Sequence, residues 1–104
     1  MPALIPLGKA AGFKRGEIRA FEINGRSVAV ANCGGTIRAF AGRCTHLDVE
    51  LVDGFVTSNY VYCPLHDSCF DLQTGQVISG PAANPLQIYE VQLEGDDVFV
   101  SIPA

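Results

Sequence analysis

Apolar and polar residues alternate in short runs along most of the chain, and turn-forming residues separate these runs. No window sustains apolar residues at the 3.6-residue spacing of an amphipathic helix. The pattern therefore predicts an all-β fold. The predicted strands cover residues 17–23, 26–32, 36–41, 54–57, 60–62, 68–72, 76–79, 86–93 and 98–102.

Asn24-Gly25 separates the first two predicted strands. Two-residue hairpin turns favour this dipeptide because both positions accept a positive φ. We expect a base of antiparallel strands contributed by both ends of the chain. Residues of about 42–82 are then inserted as a smaller subdomain, within one domain that covers residues 1–104.

The chain has 104 residues, of which 48% are apolar, enough for one domain with a small core. No apolar run approaches the roughly 18 residues of a membrane-spanning helix. The N-terminal residues also lack the basic start and apolar run of a signal peptide. We therefore expect a cytoplasmic protein that has no membrane partner.

Charge is distributed unevenly along the sequence. All 7 basic residues precede Cys44, and all but two of the 11 acidic residues follow it. Asp48, Glu50, Asp53 and Asp67 lie close in sequence to the candidate ligands described next. This distribution favours basic protein partners and disfavours nucleic acid, although solvated acidic residues without a docking role would give the same composition.

Two short motifs each pair a cysteine with a histidine: Cys44 with His46, and Cys63 with His66. Thiolate and imidazole ligands select zinc or an iron–sulfur cluster rather than calcium or magnesium. Structural zinc modules usually take two cysteines from one arm and two histidines from the other, whereas here each arm has one of each. This mixed order favours a two-iron centre in which the cysteines hold one iron and the histidines hold the other.

Together with Phe70-Asp71, Thr74-Gly75 and Gly80-Pro81-Ala82, these motifs resemble those of the Rieske family. The resemblance implies a Rieske-type fold of antiparallel sheets with a small cluster-binding subdomain. It implies a [2Fe–2S] cluster held by Cys44, His46, Cys63 and His66. Pro81 would lie in a loop over the cluster, and Ser68 occupies the place where some members donate a hydroxyl to a bridging sulfide.

The chain departs from the membrane-complex members of that family, which carry a disulfide between positions that correspond to Val49 and Leu65. The resemblance is therefore to the small soluble Rieske ferredoxins, and Cys33 and Cys69 are expected to be ordinary buried thiols. Phe70 replaces a tyrosine donor of high-potential members. We expect a midpoint potential in the low part of the roughly −150 to +300 mV Rieske range.

The resemblance implies a one-electron carrier, not an enzyme, and we expect a monomer. Such proteins pass electrons from an NAD(P)H-dependent flavin reductase to a terminal ring-hydroxylating dioxygenase in the degradation of aromatic compounds. A ferredoxin of a diiron monooxygenase remains an alternative that the sequence does not separate. A Rieske-like small subunit used for assembly and a zinc-stapled interaction module are alternatives of another class.

Overall fold

The structure is a computed structural model that describes residues 3–44, 49–64, 68–80 and 84–102. The described residues form ten strands, and short 3-10 turns occur at Ala10–Gly12 and Leu51–Asp53. The strands are β1 (Ala3–Lys9), β2 (Ile18–Ile23), β3 (Arg26–Cys33), β4 (Thr36–Ala41), β5 (Phe55–Thr57), β6 (Tyr60–Tyr62), β7 (Cys69–Asp71), β8 (Val77–Ser79), β9 (Ile88–Glu94) and β10 (Asp97–Ile102).

Strands from both ends of the chain form a six-stranded sheet, here called the base sheet, in the order β1-β10-β9-β4-β3-β2. Its two halves meet where β4 pairs with β9, through Ala39 opposite Tyr89 and Phe40 opposite Ile88. Beyond this short seam the two strands diverge and leave a groove of about 620 Å³. Neither Cys44 nor Cys63, the two predicted metal ligands among the described residues, lines that groove.

The remaining strands form a second sheet, here called the small sheet, in the order β5-β6-β7-β8. Within each of the two sheets, all neighbouring strands pair antiparallel, so the predicted all-β antiparallel fold is confirmed. Within the described part of the chain, no helix has the length and apolar character needed to cross a membrane. The predicted subdomain boundaries near residues 42 and 82, and the assignment of residues 1–104 to one domain, stay predictions.

Strand β3 is buried on both faces and contributes side chains to two separate hydrophobic cores. Val28 and Val30 point into a core inside the base sheet, together with Val98, Val100 and Ile102 of β10. Ala29 and Ala31 point the other way, into a second core that contains residues of the small sheet. Small alanine side chains on this face let the small sheet approach the base sheet closely.

The hairpin of β2 and β3 is confirmed, with Asn24 at φ 51° and Gly25 at φ 78°. Strand β1 was not among the predicted strands, because Pro6 and Gly8 interrupt its alternating pattern. The structure pairs β1 with β10 and accommodates both residues at an irregularity of the register. Proline is tolerated there because β1 is an edge strand.

Strand β9 begins at Ile88 rather than at residue 86. The reason is that the Leu86 N–H donates a 2.7 Å hydrogen bond to the Gly75 carbonyl, so Leu86 is held by the turn after β7. Strand β7 is likewise shorter than predicted and spans Cys69–Asp71. Ser68 and Leu72 flank it and extend its hydrogen bonding toward β6, through Cys63 N–H to the Ser68 carbonyl and Leu72 N–H to the Asn59 carbonyl.

Candidate metal centre

The first predicted ligand loop leaves the base sheet after β4. Cys44 heads the loop, and its backbone N–H donates a 2.9 Å hydrogen bond to the carbonyl of Val49. Just outside this bond, Arg43 and Glu50 form an isolated antiparallel bridge. The two ends of the first loop are therefore joined by backbone pairing.

The second predicted loop joins β6 to β7 in the small sheet. Cys63 follows the last residue of β6, and its N–H donates a 2.8 Å hydrogen bond to the carbonyl of Ser68. The two ends of the second loop are therefore joined in the same way as those of the first. Each loop thus begins with a cysteine whose N–H bonds to the carbonyl five residues later.

The structure brings the two loop cysteines into one buried group. Cys44 is 5% exposed and Cys63 is 1% exposed, and both belong to the core shared by the two sheets. Both thiols are free of disulfides. Two buried thiols at the heads of matching closed loops fit a cluster that takes one thiolate from each loop.

The imidazole ligands predicted from the sequence, His46 and His66, lie outside the described residues, as does Pro81. Among the described residues there is no group of three or more potential metal ligands. The structure therefore places two of the four predicted ligands, and the complete ligand set stays a prediction.

Ser68 is fully buried next to the second loop. Gly80, which has a φ of +95°, packs directly against it: a Cβ on Gly80 would lie 2.5 Å from the Ser68 Cα. No real side chain tolerates that distance, so only glycine fits without movement. In the sequence, Gly80 stands out only as the neighbour of Pro81. Its contact with Ser68 could not be foreseen, because it depends on the register in which β7 pairs with β8.

Cys33 and Cys69 are buried and free, as predicted for ordinary thiols. Burial raises the pKa of the Cys33 thiol, and the opposing charge of Arg38 is the weaker influence. The thiolate form that a metal requires is therefore disfavoured at Cys33. Arg38 also donates a 3.3 Å hydrogen bond to Asn59, which ties the turn between β5 and β6 to the base sheet.

The charges beside the first loop are partly compensated. Arg43 forms an ion pair with Glu50, with 3.5 Å between Arg43 Nε and Glu50 Oε1. Ser27 donates a 3.4 Å hydrogen bond to the other Glu50 carboxylate oxygen. Of the four acidic residues predicted to give this end a negative potential, Glu50 is therefore engaged locally and Asp53 is exposed, while Asp48 and Asp67 lie outside the described residues.

The fold and the paired loops define the class of protein. It is a small antiparallel β protein in which each of two hydrogen-bonded loops presents one buried thiol. The sequence profile of the Rieske [2Fe-2S] domain matches residues 3–90. The chain therefore belongs to the Rieske family, and its cofactor is a Rieske-type [2Fe–2S] cluster.

Three comparisons show the range of its relatives. The chain is 37% identical over 93% of its length to a cytochrome b6-f complex iron-sulfur subunit of Chlorobaculum thiosulfatiphilum, but it spans only 52% of that protein. It is 38% identical to the 3-phenylpropionate/cinnamic acid dioxygenase ferredoxin subunit of Escherichia coli K12, over 73% of each chain. A chain in the solved complex of reduced oxygenase and oxidized ferredoxin in carbazole 1,9a-dioxygenase superimposes with a TM-score of 0.86. The two are 28% identical, and the match covers 92% of this chain and 99% of that one.

Proposed function

We propose that this chain is the ferredoxin of a ring-hydroxylating dioxygenase system. It receives single electrons from an NAD(P)H-dependent flavin reductase and passes them to a terminal oxygenase during the breakdown of an aromatic compound. It acts as a cytoplasmic monomer and performs no catalysis of its own. The observation that carries the proposal is the pair of closed loops, each headed by a buried cysteine that forms no disulfide, in a Rieske chain that is similar to dioxygenase ferredoxins.

Cys44 and Cys63 would hold one iron, and His46 and His66 would hold the other. The bound cluster supplies a centre that takes up and releases one electron. The chain supplies the rest. The closed loops fix the positions of the two cysteines. The shared core excludes water from both thiols, so little solvent has to reorient when the electron moves and the reorganisation energy stays small.

The similarity to a cytochrome b6-f subunit raises the question of a membrane complex. None of the four cysteines of this chain forms a disulfide. Positions 49 and 65, where the resemblance places the disulfide of the membrane-complex proteins, are occupied by valine and leucine. This chain cannot form that disulfide. The cysteine pattern therefore favours a ferredoxin over a membrane-complex subunit.

The first experiment is to measure iron, sulfide and zinc in the purified protein and to record its EPR spectrum after reduction with dithionite. We expect about two irons and two sulfides per chain, a rhombic signal of low average g, and a midpoint potential near or below zero in the Rieske range. A colourless, zinc-loaded and EPR-silent protein, even after anaerobic reconstitution, would overturn the proposal and favour the interaction module.

The second experiment tests the electron route. The protein replaces the ferredoxin in a 3-phenylpropionate/cinnamic acid dioxygenase system that contains the reductase and the terminal oxygenase. We expect substrate-dependent NADH oxidation that requires all three proteins. NADH oxidation by this chain alone would contradict its assignment as a carrier.

A further inference from the structure

The outer face of the small sheet is aromatic where an exposed sheet face is normally polar. Strands β5 and β6 turn Val56 and Val61 inward to the shared core and turn Phe55, Tyr60 and Tyr62 outward. Phe55 is 54% exposed and Tyr60 is 37% exposed. We call these three outward residues the aromatic face.

The aromatic face is ordered by a ring stack. Phe55 lies opposite Tyr62 in the register, and their rings are 4.7 Å apart between centroids at an angle of 10°. Rigid and partly exposed aromatic residues of this kind are enriched at protein interfaces and among the residues that contribute most to binding.

Acidic residues lie beside this face, and the basic side chain of Arg38, which reaches its turn, donates a hydrogen bond to Asn59 there. Asp53 is exposed just before β5, and Asp71 lies opposite Tyr60 on the neighbouring strand β7. No lysine or arginine occurs in residues 44–104. A complementary protein surface therefore combines an apolar hollow for Phe55 with lysine or arginine residues at its border.

The aromatic face is also connected to the predicted centre. Tyr62 is bonded through the peptide to Cys63, one of the proposed iron ligands, and the Phe55 ring lies against the Tyr62 ring. A partner that covers Phe55 would thus contact side chains that lead directly to a ligand. An interface at this position serves electron transfer as well as binding.

We propose that the aromatic face is the docking surface for the terminal oxygenase, which meets it with an apolar hollow bordered by basic residues. The inference rests on the proposed function and names the surface that this function uses. The oxygenase is the chosen partner because a chain of the same size and fold has been solved in a complex of oxygenase and ferredoxin. Binding of the reductase to this face is an alternative that the experiment separates.

The test compares Phe55→Ser with Leu93→Ser in the reconstituted dioxygenase system. Leu93 is the matched control because it is also 54% exposed but lies on β9 of the base sheet. Turnover is measured against ferredoxin concentration with the reductase in excess, and the reduction of ferredoxin by the reductase is measured separately. Midpoint potential and EPR spectrum are recorded for each variant to verify that the cluster is unchanged.

We expect Phe55→Ser to raise the ferredoxin KM of the oxygenase about tenfold, the effect typical of a central interface residue. Its kcat, its potential and its reduction by the reductase should match those of the wild type, and Leu93→Ser should behave as the wild type throughout. Should Phe55→Ser fail to fold, Tyr60→Ser replaces it, because Tyr60 lies on the same face outside the ring stack. It must raise the same KM.

Equal KM values for the wild type, Phe55→Ser and Leu93→Ser would overturn the inference while leaving the proposed function intact. A rise that occurs only in the reductase reaction would also overturn it and assign the face to the reductase. A wild-type protein that supports no turnover would instead refute the proposed function itself, and the docking inference with it.

Discussion

The base sheet and the small sheet differ in how much of their stability comes from their own residues. Strands of the base sheet have six to eight residues and enclose a core of their own. Each strand of the small sheet has three residues. Strands that short bury little surface and make few hydrogen bonds, so such a sheet is marginal by itself.

The small sheet is instead held from two sides. On one side its Val61, Phe70 and Leu72 pack against the base sheet, where Phe40 of β4 is fully buried in the same core. On the other side the metal centre would join the loop after β6 to the loop after β4. The small sheet therefore depends on the cluster and on the base sheet, whereas the base sheet also has a core of its own.

The largest effect should follow from removing a thiolate. Cys63→Ala deletes a proposed ligand, so we expect loss of the cluster and, because metal binding contributes directly to folding, opening of the small sheet. The base sheet should persist. Iron content and amide hydrogen exchange measure the two parts: protection should fall in residues 55–79 and remain in β3 and β10.

Cys69→Ser and Cys33→Ser are the matched controls, because both residues are buried cysteines outside the proposed ligand set. Both variants should retain an intact EPR spectrum and a full complement of iron. Loss of the cluster in either variant, with retention in Cys63→Ala, would mean that the wrong thiolates have been assigned.

The next effect concerns packing in each region. Phe70 is fully buried in the shared core, and Ile102 is 1% exposed in the core of the base sheet. We expect Phe70→Ala to cost about 3–5 kcal/mol and Ile102→Ala about 2–5 kcal/mol of unfolding free energy. The two variants should differ in what they change. Phe70→Ala should accelerate loss of the cluster at denaturant concentrations well below the unfolding transition, and Ile102→Ala should lower the denaturant concentration at which the fold itself unfolds.

Denaturant titrations followed both by visible absorbance and by far-UV circular dichroism distinguish these outcomes. If both variants lose the cluster and the β-sheet signal together, the two regions unfold as one unit and the contrast between them is refuted.

A smaller effect should come from the glycine that packs on the second loop. Gly80→Ala would place a Cβ against Ser68, whereas Gly8→Ala at φ +116° has no atom within 4 Å of the added Cβ. Both variants introduce backbone strain, but only the first also displaces a neighbour. We expect Gly80→Ala to cost about 1–3 kcal/mol more than Gly8→Ala.

The EPR spectrum separates the two glycine variants further. Ser68 accepts the hydrogen bond that closes the loop of Cys63, so Gly80→Ala should alter the g values and Gly8→Ala should not. Identical spectra and equal stabilities would show that the contact between Gly80 and Ser68 has no role in holding the loop.

Features that depend on neighbouring residues could be predicted from the sequence, whereas features that depend on the pairing of distant strands could not. Asn24-Gly25 defined its hairpin because the turn depends on two adjacent residues. Cys44 and Cys63 were identified because spacing within each motif is local. Strand β1 was missed because Pro6 and Gly8 interrupt its local pattern, and its pairing with β10 depends on residues almost the whole chain away. The approach of Gly80 to Ser68 and the Phe55–Tyr62 stack depend on sheet register, which alternation alone does not specify.

The smallest effect is expected at the edge of the base sheet, far in sequence from either loop. Lys9 Nζ lies 2.6 Å from Asp97 Oδ1, and both side chains are more than half exposed. Hydrogen bonding and attraction to Asp97 raise the pKa of Lys9 above its usual 10.5. Because the folded-state pKa is the higher one, the pair stabilises the fold below pH 10.5, and this contribution is lost as pH rises through the folded-state pKa.

Lys9→Gln should therefore lower the melting temperature only slightly at neutral pH, and the difference from wild type should shrink at about 1 M salt, where the Debye length is roughly 3 Å. It should also disappear at strongly alkaline pH. Melting curves at low and high salt, together with the rate of cluster loss, provide the test. A faster loss of the cluster in Lys9→Gln would show that the edge of the base sheet is coupled to the small sheet, because the ion pair joins β1 to β10 within the base sheet.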